Sequence, residues 1–280
     1  MLFENFNPIL ETIILSIGPL GAILAARNGY RAWLKYEIVV SSLFGIVLLF
    51  KPDSMLLPLL NSTEFTNYHW FLANLHGVFL IWSPFYAFTF LNSKDESIFY
   101  GHFWSRLVCH ALTFIDNIYV YSLHTHWNYR ILIVSAVFCV LEVVVNFYYI
   151  FTTKQPKRPS SSEFETVDYV ARLDALILYD LQQSNESYRS ICRASGGFLL
   201  SMSFESFCAV DFKFSSDKKN LMKSRLIGNL LELCVILSGG IFGLIGFKSF
   251  FVYLCGNLFY EAILFYGYNS VKEEPESKSE

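Results

Sequence analysis

The chain has 280 residues, of which 54% are hydrophobic, 18% aromatic and only 16% charged, and its net charge is −3. That is more apolar surface than a soluble domain of this length normally buries, which excludes an ordinary water-soluble globule. No basic patch interleaved with aromatic residues is present, which excludes nucleic acid as a partner. The apolar residues form blocks of about 18 to 22, the length that crosses roughly 30 Å of hydrocarbon as a helix. These features predict an all-α, polytopic transmembrane helical bundle in a lipid bilayer.

The first apolar block, residues 9 to 26, predicts a retained transmembrane helix within an N-terminal segment of residues 1–30. A cleaved signal peptide is the alternative, but Glu4 stands where such a peptide carries positive charge. Arg27 and Arg31 follow the block and place the next loop in the cytoplasm and the N-terminus outside.

Four further spans make up a first helical unit, residues 31–152. Phe50-Lys51-Pro52-Asp53 interrupts the first of them, and proline and charge should end or kink that helix near the bilayer surface. The predicted spans are 36–58, 68–91, 99–122 and 131–151.

A polar cytoplasmic linker, residues 153–170, precedes a second helical unit, residues 171–268, and a disordered acidic tail, residues 269–280. The second unit contains predicted spans at 194–211, 226–247 and 249–268. The total is seven or eight spans, because the charged stretch 164–183 is a poor span. Asn61 and Asn185 match the N-glycosylation pattern and favour a crossing there, whereas a surface helix is the equal alternative.

The two units resemble each other. A shift of 119 residues without a gap gives 13 identities between positions 77 and 149, including Arg106 on Arg225 and Glu142 on Glu261. Charged matches inside apolar helices are informative because charge is costly there. The pattern predicts an internal duplication of a unit of three to four helices.

Polar residues inside the spans are the candidate site. Arg106, His110, Thr113 and Asn117 share one helical face, and Asp116 lies beside it. The matching face of the second unit carries Arg225, Asn229 and Glu232. Helix geometry predicts two intramembrane ion pairs, Arg106 with Glu142 and Arg225 with Glu261.

Two functional interpretations follow. The polar faces act as hydrogen-bonding contacts between helices in a non-catalytic scaffold, assembly factor or regulator of other membrane proteins, which is the expected function. Alternatively they line a pathway in a small-solute or proton-coupled transporter, which should show a polar cavity near the paired charges. No hydrolase, phosphate-loop or CxxC motif is present, so we expect no enzyme, no cofactor and no metal site.

Residues 33–152 resemble the four-pass membrane proteins of the p53-inducible protein eleven type, through Phe50-Lys51-Pro52-Asp53 and Val143-Val144-Val145-Asn146-Phe147-Tyr148-Tyr149. In this chain Lys51 interrupts the Phe-Pro-Asp turn of that family. Proteins of that family contain only one four-helix unit, whereas this chain contains two predicted units. The resemblance implies a multi-pass membrane protein without known enzymatic activity. A seven-helix receptor is a second alternative, although the chain lacks its Asp-Arg-Tyr and Asn-Pro-x-x-Tyr motifs. The sequence does not distinguish the endoplasmic reticulum from the plasma membrane.

Overall fold

A computed structural model describes residues 8–59, 66–123, 128–153, 186–209, 212 and 214–271. Over these ranges the regular secondary structure is entirely helical, as the composition predicts. The helices are α1 (Pro8–Arg27), α2 (Tyr30–Phe50), α3 (Pro52–Leu59), α4 (Asn67–Phe90), α5 (Glu96–Ser122), α6 (Tyr129–Thr152), α7 (Glu186–Cys208), α8 (Ser215–Ile241) and α9 (Phe247–Ser270). Asn61, Asn185, the stretch 164–183, nearly all of the linker and the tail after 271 lie outside the described residues.

Five of these helices, α2, α4, α6, α8 and α9, are long and apolar enough to cross a membrane. The side chains of α6 have the distribution expected of a helix that crosses a membrane. Its exposed residues are apolar and recur at helical spacing, as in Val137, Val144 and Phe151, whereas Glu142 and Asn146 are buried. A polar interior and an apolar exterior are the arrangement that a lipid solvent favours.

The helix break predicted at Phe50-Lys51-Pro52-Asp53, inside the predicted span 36–58, is present. α2 ends at Phe50, and a separate helix, α3, starts at Pro52. Proline has no backbone N–H to continue the α2 ladder, so the predicted span 36–58 divides into two helices.

Contacts between helices fix their relative directions. α5 is antiparallel to α6, since Asn117 donates to Ser135 near one end and Phe103 stacks on Tyr149 near the other. α5 is also antiparallel to α7, because Asp116 contacts Ser190 while His102 contacts Glu205. α6 and α7 therefore run in the same direction.

We call the end of the bundle where α4 and α7 begin and α5 ends the upper end, and the opposite end the lower end. α6 ends at the lower end and α7 begins at the upper end. α2 and α4 are antiparallel and pack closely, since Gly77 and Gly45 leave no room for a Cβ at their crossing. α8 is antiparallel to α4, with Phe71 beside Gly239 and Ser93 hydrogen-bonded to Asp217.

The later helices repeat the spacing of the earlier ones. α4, α5 and α6 begin at residues 67, 96 and 129, and α7, α8 and α9 begin at 186, 215 and 247, which are offsets of 119, 119 and 118 residues. α4 packs against α8, and α5 packs against α7.

Candidate functional site

A cavity of about 320 Å³ lies inside the bundle between α2, α4, α5, α6 and α7. A volume of this size is at the lower end of the range for small-molecule sites. Its wall includes the face of α5 that the sequence singled out, with Arg106, His110, Thr113, Asp116 and Asn117. The other polar lining residues are Tyr36, Glu37, Ser41, His76, Cys109, Ser135, Cys139, Glu142 and Ser190.

Arg106 forms its ion pair with Glu37 of α2, and Nε lies 3.1 Å from Oε1. The sequence predicted Glu142 as its partner, and that pairing is wrong. The prediction compared only the faces of α5 and α6, whereas α2 brings a carboxylate closer. The Arg106 guanidinium also donates to Ser41 and Ser83 at 3.4 and 3.5 Å. Arg106 and Glu142 still line the same cavity.

Glu142 faces His110 instead. Its Oε2 lies 3.6 Å from Nε2 of His110 and accepts a hydrogen bond of 3.3 Å from Asn146. His110 Nε2 is shielded from solvent and has no hydrogen-bond partner among the described residues. One ligand atom from each of Glu37, His110 and Glu142 lies within 4.8 Å of the others. We call these three residues the Glu-His-Glu cluster.

On the lower side of the cluster, His102 bridges two carboxylates. Its Nδ1 lies 3.0 Å from Glu205 of α7, and its Nε2 lies 3.4 Å from Glu37. All three side chains are almost completely buried. Glu205, His102, Glu37 and Arg106 thus form a continuous polar chain from α7 to the cavity.

On the upper side, Asp116 joins α5 to α7. Its Oδ2 accepts a hydrogen bond of 2.7 Å from Ser190, and its Oδ1 pairs with Arg193. His102 and Asp116 are separated by 14 residues of helix, or roughly 21 Å along the axis. The polar groups therefore extend through much of a bilayer's thickness.

Below the cavity the bundle is closed by aromatic side chains. Phe103 is fully buried and stacks on Tyr149, with ring centroids 5.2 Å apart. Phe99 contacts Tyr30 and Phe90 at centroid distances of 4.9 and 5.5 Å. We call these five residues the lower aromatic cluster. These rings pack against one another at the lower end of the described part of the bundle.

The charged residues of α8 and α9 have different contacts from those predicted. Arg225 donates to the hydroxyl of Tyr260 at 3.1 Å and to the Met202 carbonyl, and Glu261 accepts from Asn229 at 2.6 Å. The predicted pair of Arg225 with Glu261 is therefore replaced by separate hydrogen bonds. Glu232 is partly buried on α8. Arg225, Glu232 and Glu261 do not line the cavity.

Sequence reasoning missed three buried residues that complete the polar chain: Glu37, His102 and Glu205. Each is a polar or ionisable residue inside an apolar stretch, which is a signal of a site in membrane proteins. Glu37 was overlooked because the predicted span started at residue 36, whereas α2 begins at Tyr30 and carries Glu37 about 10 Å into the helix.

The described residues form an all-helical fold with five helices long and apolar enough to cross a membrane, and with a cavity whose wall carries buried charged residues. The chain belongs to a family described as a domain of unknown function (DUF8292), and the match extends over residues 35–268. It takes in every residue of the Glu-His-Glu cluster and of the polar chain. No curated protein and no solved structure matches the chain.

Proposed function

We propose that this chain is a multi-pass, proton-coupled transporter of a small cationic solute, with the Glu-His-Glu cluster as its binding site. The observation that carries the proposal is the cavity beside Glu142. A scaffold of paired helices has no need of an internal space of about 320 Å³ that is lined by carboxylates and histidines.

Charge balance in the cluster favours a cation. Glu37 is paired with Arg106 and lies within hydrogen-bonding reach of Glu142, whose other close polar partners are the imidazole of His110 and the amide of Asn146. If both carboxyl groups are ionised beside a neutral imidazole, one negative charge remains in a low-dielectric interior. Such a charge is costly unless a proton or another cation neutralises it.

The position of the cavity supports alternating access. Leu132 and Ser190, from the upper ends of α6 and α7, line it, whereas the lower aromatic cluster closes the opposite side. In a transporter, a cavity that extends to the upper ends of α6 and α7 and stops at the lower aromatic cluster corresponds to a state that is closed at the lower end. Rearrangement of the rings around Phe103 would open the other side.

A proline lies within a helix beside the site. Pro84 stands inside α4, and the preceding Ser83 is hydrogen-bonded to Arg106. Proline removes one backbone hydrogen bond from the helix, and transporters often place such interruptions near the midplane beside the binding site.

The proposed topology contains two related units in the same orientation. His76 and Ser195, which are 119 residues apart, contact each other at 3.3 Å, as equivalent residues do beside a two-fold axis. The reciprocal packing of α4 on α8 and of α5 on α7 supports the same symmetry. Parallel repeats around an axis along the membrane normal occur in known transporters.

The directions of the helices support one more crossing. Because α6 ends at the lower end and α7 begins at the upper end, the proposal includes the crossing ahead of Asn185 that the sequence left open. With α1, α2 and α4 to α9 as spans, the proposed topology has nine passages, whereas the sequence predicted seven or eight. Arg27 and Arg31 at the lower end make it the cytoplasmic side under the positive-inside rule.

Proton flux tests the proposal. The purified chain is reconstituted into vesicles that contain the pH indicator pyranine, and a potassium diffusion potential is imposed with valinomycin. We expect internal acidification with the unmodified chain and at least a tenfold lower rate with Glu142→Gln. Glu261→Gln, at the matching position of the other unit, is the control and should keep the rate. Equal rates in both variants, or no flux above empty vesicles, would refute the transporter.

A scaffold is the second candidate, and the second half of the chain favours it. Asn229 and Asn257 exchange hydrogen bonds there, including one of 2.9 Å, and these polar groups satisfy each other. If the chain is a scaffold, Glu142→Gln should change the folding yield, and neither the variant nor the unmodified chain should carry a proton flux.

A further inference from the structure

We infer that the Glu-His-Glu cluster binds a divalent transition-metal cation, of the class of Zn²⁺, Mn²⁺ or Co²⁺, as the solute of the proposed transporter. This inference names the substrate class and rests on the proposed function. Its geometric basis is the convergence of Glu37, His110 and Glu142 from three different helices, α2, α5 and α6, on one point of the cavity wall.

The donor set fits this class of ion. Two carboxylates and one imidazole are borderline to hard ligands, which suit Zn²⁺, Mn²⁺ and Co²⁺ better than Cu⁺ or Ca²⁺. Three protein ligands beside a cavity also leave a coordination position for water.

The distances between ligand atoms in the cluster are close to those around a bound metal ion. His110 Nε2 and Glu142 Oε2 are 3.6 Å apart. Two ligands of a tetrahedral ion, each about 2.1 Å from the metal, are separated by roughly 3.4 Å. The three ligand atoms all lie within 4.8 Å of one another, so small side-chain rotations are enough to bring them to the spacing of a bound ion.

His110 provides an independent indication of a ligand. Its Nε2 is shielded from solvent and faces the cluster, and it has no hydrogen-bond partner among the described residues. A buried polar atom without a hydrogen bond is unfavourable, so such atoms usually have a bound ligand or water as partner. Imidazole nitrogen is the commonest metal ligand in proteins.

Several ionisable and polar groups surround the three proposed metal ligands. Arg106 and His102 contact Glu37, Asn146 contacts Glu142, and Tyr36, His76, Cys109, Asp116 and Cys139 line the same cavity. A divalent ion that enters must displace any proton held by His110, Glu37 or Glu142, since metal ligands bind in their deprotonated forms. Metal entry is thus coupled to proton release at the same three side chains.

Cobalt binding tests the inference without any transport. Purified chain in detergent is titrated with CoCl₂, and the visible d–d absorption and the metal stoichiometry by mass spectrometry are measured. We expect one Co²⁺ per chain, displaced by Zn²⁺, with the affinity reduced at least tenfold in His110→Asn and in Glu142→Gln. Asparagine is the residue at the matching position of the other unit, Asn229, so a membrane helix of this bundle accepts it.

Glu261→Gln is the matched control and should bind Co²⁺ like the unmodified chain. Absence of Co²⁺, Zn²⁺ and Mn²⁺ binding at millimolar concentration, or equal binding by all variants, would overturn the metal site. Metal binding without proton flux would refute only the transporter, and proton flux without metal binding would refute only the metal site.

Discussion

Glu37 and Arg106 meet across 3.1 Å between α2 and α5, and both side chains are almost completely buried. Removing one member of such a pair leaves an uncompensated charge, at a cost of about 3–5 kcal/mol. We therefore expect Glu37→Leu to lower the thermal midpoint of the purified chain strongly. The double variant Glu37→Leu with Arg106→Met should recover most of the loss, because it removes both members of the pair and leaves neither charge without its partner. If the double variant is as unstable as the single variant, the loss of the ion pair is not the cause of the lower thermal midpoint.

Gly228 of α8 provides the surface on which the Trp82 indole lies. A Cβ at this position would overlap the ring, and Trp82 is buried and cannot move freely. Gly228→Ala should lower stability by about 1–3 kcal/mol, the usual cost of overpacking. Gly256→Ala on α9 is the control, since nothing lies within 4 Å of the added Cβ, and it should leave the melting temperature unchanged or slightly higher.

The lower aromatic cluster should act as a barrier. Phe103→Ala removes the ring that stacks on Tyr149 and leaves space below the polar chain. In the pyranine assay we expect this variant to leak protons severalfold faster than the unmodified chain. Phe259→Ala, at an exposed aromatic position of α9, serves as the control. An unchanged leak in Phe103→Ala would mean that these rings do not close the pathway.

The direction of α6 and α7 predicts the locations of the glycosylation patterns. Asn61 and Asn185 should lie on the same side of the membrane, and a tag at the C-terminus should lie on the opposite side. Glycosidase-sensitive mobility of Asn61→Gln and Asn185→Gln, together with protease protection of the tag, checks this. Modification of Asn61 but not of Asn185 would refute the proposed crossing between α6 and α7, and a C-terminal tag on the side of Asn185 would contradict the three passages of α7, α8 and α9.

The sequence predicted the helical class, the break at Pro52 and the polar face of α5, because these depend on local composition and on helical periodicity. It did not predict the partner of Arg106. That choice depends on the position of α2 in the folded bundle, where α2 packs closely against α4 at Gly45 and Gly77. The link from His102 to Glu205 is likewise a contact between residues 103 positions apart, which no local pattern encodes. The resemblance of residues 33–152 to a four-pass family stays a prediction.

The central claim is that the cavity beside Glu142 is filled with water and can be reached from both sides of the membrane in turn. Cys139 lines the cavity and can report on this. With the other five cysteines replaced by serine, the chain in sealed vesicles is treated from either side with a membrane-impermeant, positively charged thiosulfonate. We predict modification of Cys139 from the upper, exterior side, slowed by millimolar Zn²⁺, and faster modification from the lower side when Phe103 is alanine. A Cys139 that reacts from neither side in either form would mean a dry bundle and would contradict the transporter.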